Sequence, residues 1–76
     1  MRVTLKAARI NAGLKAQVVA DTVNVHVQTL LKYEKDSSKI PFDLLTSLSE
    51  LYQMPMDYIF LGKEYEFIRT IEKSRA

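Results

Sequence analysis

Three observations predict an all-α fold. Only two glycines and two prolines punctuate the 76 residues, too few for a turn-rich β domain. Apolar residues recur at helical spacing along most of the chain. The one stretch that alternates like a strand, TVNVHVQTL at 22–30, loses its alternation at once: Leu30, Leu31 and Tyr33 return to helical spacing. A single strand among helices would also leave its backbone donors and acceptors unpaired.

Each element has its own signal. Residues 3–12, VTLKAARINA, place Leu5, Ala8 and Ala12 on one helical face with Lys6 and Arg9 beside it. Gly13 follows, where a helix C-terminus favours glycine. Residues 15–23, KAQVVADTV, bring Val19, Ala20 and Val23 together. Asn24 is among the few non-glycine residues that accept the left-handed conformation of a tight turn. Val23 therefore ends one helix, Asn24 turns, Val25 packs beneath and His26 begins the next. In residues 26–35, HVQTLLKYEK, Leu30 and Tyr33 share a side, and KDSSK then reads as a polar loop.

Pro41 suits the opening of a helix, and over 42–53 Phe42, Leu45, Leu48 and Tyr52 form a face that Leu44 and Leu51 widen. Pro55 marks the entry to a short helix at 56–61, ended by Gly62. The organisation is one domain over 1–62 and a polar C-terminal tail over 63–76. In the tail Tyr65, Phe67, Ile68 and Ile71 are spaced for a short extra helix.

Composition excludes several kinds of chemistry. With no cysteine there is no disulfide and no thiolate nucleophile or zinc ligand. His26 is the single histidine, which removes most histidine-containing metal sites. There is no glycine-rich phosphate loop, metal-ligand cluster or nucleophile–base pair. Neither an enzymatic activity, a cofactor nor a small-molecule ligand is expected, and Glu64 and Glu66 read as solvated. No apolar run approaches the ~20 residues that span a bilayer, and the N-terminus lacks a signal-peptide core. A soluble, cytoplasmic protein without a membrane partner is expected.

The net charge of +2 hides an asymmetry. Residues 1–39 carry seven bases against three acids, and residues 40–76 four against six. A basic half on a small domain suggests a polyanion partner; ordinary surface charge explains it as well.

Two short helices joined by a tight turn at about residues 15–35, the second polar on one side, form a helix-turn-helix. With Val19-Ala20 in the first motif helix, Asn24-Val25 at the turn, and Leu30, Tyr33 and Glu34 in the second, the stretch from about residue 4 to Gly62 resembles the Cro and repressor family of phage and bacterial transcription regulators. There a Leu-Ala pair, a Gly-Val turn, an apolar pair and a closing glutamate stand at these positions. Arg9 sits where the family often has an arginine, and MPMDYIFLG resembles its closing helix. The resemblance implies a five-helix, lambda-repressor-like domain, double-stranded DNA as partner, and commonly a homodimer. It also implies an inward ion pair between Arg9 and Glu34; the alternative is two surface charges that never meet.

In a helix-turn-helix the start of the second helix reaches base edges in the major groove. The candidates are His26, Val27, Gln28 and Lys32. Gln28 suits adenine N6 and N7, Lys32 guanine O6 and N7 or a phosphate, and Val27 only a thymine methyl. A solvated helix surface is the alternative for each. Phosphate contacts are expected from Lys15, Ala16 and Gln17 at the start of the first motif helix, and from Lys35, Ser37, Ser38 and Lys39 after the second.

Some positions depart from the family. Lys15 and Ala16 stand where a capping Ser or Thr and a glutamine are usual, a loss of ~1 kcal/mol of helix stability. Val18, Val27 and Leu31 replace polar residues, and an adjacent apolar set can mark a protein contact. A helix-turn-helix that binds protein through these three is therefore the rival function. The apolar Leu44, Leu51, Met54 and Met56, with those of the tail, admit two explanations: a dimer contact, or a core that the tail widens.

Overall fold

The computed structural model describes residues 2–63, 66–69 and 71. Among them four α-helices follow in order: α1 (Leu5–Asn11), α2 (Ala16–Thr22), α3 (Val27–Lys35) and α4 (Phe42–Tyr52). A 3-10 turn follows at Met56–Tyr58, and helical backbone returns at 66–69 and 71. No described helix is long and apolar enough to cross a membrane. Glu64 and Tyr65 lie outside the described residues.

The alternating stretch is a junction between helices. Val23 closes α2 and Asn24 turns with φ 60°. The Val25 amide then donates back to the Ala20 carbonyl at 3.0 Å, and the Asn24 amide to Asp21 at 3.4 Å. This pairing satisfies carbonyls the helix end would otherwise leave bare. It also turns the half-buried Val25 onto the core. Two other helices end in the same way. At Gly13, φ 75°, the Leu14 amide reaches Arg9, and at Gln53, φ 52°, the Met54 amide reaches Ser49.

Leu5 and Ala8 of α1, Val19 and Ala20 of α2, Leu30 of α3, and Leu45, Leu48 and Tyr52 of α4 form the core with Ile59. The small Ala20 is fully buried, so α3 can cross close to α2. Leu30 is equally enclosed, a burial worth ~2 kcal/mol.

Three expectations are corrected. Ala12 is exposed, because it caps α1 instead of extending its inner face. Phe42 is 64% exposed: as the first residue of α4 it precedes the point where the helix meets the core. The closing helix at 56–61 is a single 3-10 turn. Beyond it the backbone extends, and Ile59 forms a parallel bridge with Val3. The Val3 amide donates to Tyr58 at 2.7 Å, and the Phe60 amide to Val3 at 2.8 Å. These bonds hold Val3 outside α1, which begins at Leu5 with the Thr4 hydroxyl accepting from the Ala7 amide at 3.0 Å.

Candidate nucleic-acid interface

The two sides of α3 differ chemically. Leu30 and Glu34 are buried, Thr29 and Tyr33 half-buried, and Gln28, Leu31, Lys32 and Lys35 face outward. The outward four are spaced i, i+3, i+4 and i+7, one side of a helix. Together with Asp36 they line one open hollow. The Lys32 ammonium lies 5.8 Å from the centre of the Tyr33 ring, within range of a cation–π attraction.

His26 stands just before α3, exposed, without a side-chain bond to the helix start. It shares a second, polar hollow with Gln17, Asp21 and Gln28. Val27 is half-buried: it packs on the core and also lines this second hollow. In the sequence Leu31 groups with Val18 and Val27 as an apolar surface suited to a protein contact, and not with the base-contact candidates. Its spacing, three residues after Gln28 and four before Lys35, was the available signal.

Behind this face α3 is tied to α1. Arg9 donates through Nε to Glu34 Oε2 at 2.7 Å and through Nη2 to Oε1 at 3.3 Å. Its Nη1 donates to the Leu14 carbonyl at 3.1 Å. The guanidinium thus joins the end of α1, the following turn and the last turn of α3. Hydrogen bonding to Glu34 pushes the Arg9 pKa above its ordinary value, against the opposing effect of burial. The Tyr52 hydroxyl lies buried nearby without a hydrogen-bond partner among the described residues. Burial, and then the Glu34 charge, push its pKa up to about 12.

The phosphate candidates divide. Lys15, Lys35 and Lys39 are exposed. Ala16 and Gln17 open α2 behind Lys15, which makes no side-chain cap bond, and the Gln17 amide donates to Asp21 at 3.0 Å. Ser37 does not belong to the surface at all, being 4% exposed. Its hydroxyl sits 3.3 Å from the Phe60 and Gly62 carbonyls and accepts from the Gly62 amide at 3.0 Å. Its own amide donates to Gly62 at 2.9 Å. A serine in a polar loop is thus a clasp that holds the segment after the 3-10 turn.

Ser38 is also committed elsewhere. Both its hydroxyl and its amide donate to Asp36 Oδ1, at 2.6 and 3.1 Å. Those bonds, led by the hydroxyl, lower the Asp36 pKa, and Lys63 and Lys39 add to the effect. An anionic carboxylate already holds both donors, so a phosphate has to displace it.

A helix-turn-helix family model matches residues 5–59. The chain is also 38% identical over 60 residues to the HTH-type transcriptional regulator ImmR of Bacillus subtilis (strain 168), an alignment covering 79% of this chain. It spans about half, 46%, of the length of that relative. The family match takes in all four helices and the 3-10 turn, and the chain belongs to the helix-turn-helix family of Cro and repressor type.

Proposed function

We propose that the chain binds double-stranded DNA as a small, repressor-like transcriptional regulator, with residues 26–35 in the major groove. The observation that carries this is the division of α3: an inner side fixed by Leu30 and the Arg9–Glu34 pair, an outer side of Gln28, Leu31, Lys32 and Lys35. A helix anchored from behind presents its outer side chains in one fixed frame, as base reading requires. Gln28 reads adenine, Lys32 takes guanine or a phosphate, and His26 lies at the entry to the groove. Lys15, Lys35 and Lys39 contribute charge toward phosphates, and Ala16 and Gln17 backbone donors; Ser37 drops out of that set.

The binding unit in this proposal is residues 1–62, working in the cytoplasm. Two copies would occupy inverted half-sites ~34 Å apart. The exposed apolar Phe42, Met56, Tyr58 and Leu61 are available to a second copy.

Fluorescence anisotropy of a labelled duplex tests the proposal. Affinity should fall by orders of magnitude between about 50 and 200 mM salt. Binding that ignores salt, or none, would end it. If Leu31→Asp then abolished a protein complex, the rival role in protein binding would replace it.

A further inference from the structure

We infer that Leu31 is a specificity-determining residue that reads the 5-methyl group of thymine. The inference rests on the DNA-binding reading above and adds a base preference to it. Leu31 is 40% exposed at the middle of the outer face of α3. Gln28 precedes it by one turn, Lys32 adjoins it and Lys35 follows by one turn, and all four wall the same hollow. An apolar side chain flanked by two ammonium groups suits a surface that is anionic at its edges and carries one apolar feature within. The major groove is such a surface, because thymine alone among the four bases places a methyl group there.

The lysines also argue against an apolar protein partner, which would have to desolvate both of them to reach Leu31. Asp36, the one acid on the rim, is held by the two Ser38 donors. Val27, the methyl reader that sequence alone suggests, is half-buried against the core. Val27 also lines the hollow shared by His26 and Gln28, but Leu31 is the more exposed of the two and lies one turn further along the helix.

Gln28 and Leu31 lie a single turn apart, so their targets lie within neighbouring base pairs. The preferred half-site should pair an adenine, bonded by the Gln28 amide, with an adjacent thymine whose methyl packs on Leu31.

The test removes the methyl group from the DNA and leaves the protein intact. Duplexes selected from a random pool by the wild-type chain are remade with deoxyuridine for thymidine, which keeps every hydrogen bond. Wild type should bind the uracil duplex about three- to fivefold more weakly for each methyl lost. Leu31→Ala should bind both duplexes alike, and Val27→Ala should keep the difference. Equal wild-type binding to the two duplexes overturns the inference while leaving DNA binding in place. Loss of the difference in Val27→Ala but not in Leu31→Ala overturns the assignment to Leu31. Failure to select any duplex removes the DNA-binding reading and this inference together.

Discussion

The Arg9–Glu34 pair makes the fold vulnerable to a single substitution. A chain of 76 residues has a total stability of ~4–11 kcal/mol. The side chains of Arg9 and Glu34 are 12% and 3% exposed, so removing one partner leaves the other poorly solvated. For a buried pair that loss is ~3–5 kcal/mol. Glu34→Ala should fall near the lower end, because Arg9 keeps the Leu14 carbonyl and some contact with water. Arg9→Ala should cost more, because the more deeply buried carboxylate then loses both guanidinium bonds. Urea unfolding of both single variants and of the double variant closes the cycle. A coupling of ~2 kcal/mol or more is expected; additive losses below ~1 kcal/mol each would refute the reasoning.

Further expectations concern other points of the framework. Tyr52→Phe deletes a buried hydroxyl that has no partner among the described residues, so urea unfolding near neutral pH should show stability unchanged or raised by ~1 kcal/mol. Because the Tyr52 pKa is raised to about 12 from 10.0, its contribution is complete below the unfolded value and lost through the folded one. The wild-type decline across that alkaline window should therefore be shallower in the variant. Gln53→Gly relieves a left-handed residue at the end of α4 and should raise the unfolding midpoint by the equivalent of ~0.5–1 kcal/mol. Ser37→Ala strips the Gly62 amide of its acceptor and should cost ~1–2 kcal/mol. Amide exchange at Gly62 should accelerate in step; unchanged exchange there would argue against the clasp.

Where the sequence was legible, the signal was local. Gly13 and Asn24 mark helix ends because glycine and asparagine accept a positive φ. Gln53 does the same work with no compositional hint, since glutamine carries no such preference. The spacing of its neighbours predicts a helix at Ile59, yet its conformation is set by Val3 at the far end of the chain. No local window contains that information. Phe42 has the same helical phase as Leu45, but phase cannot say where along α4 the core begins.

The candidate site divides on the same principle. The outward set on α3 follows from periodicity, and Leu31 belonged to it by spacing even though its apolar character pointed elsewhere. That Arg9 and Glu34 stand together came from the family resemblance, because two charges 25 residues apart announce nothing by pattern. Ser37 and Ser38 look alike in a polar loop. Only the return of residues 60–62 buries one, and only the Asp36 carboxylate occupies the other.

Selection of bound sites from random duplex DNA tests base reading by α3 most directly. The wild-type chain should enrich one sequence, repeated as two inverted half-sites about one helical turn apart. Gln28→Ala should relax the preference at a single position in each half-site, and Lys35→Ala should weaken binding evenly across sequences. A pool that stays random after repeated rounds, or a preference that survives Gln28→Ala unaltered, would contradict it.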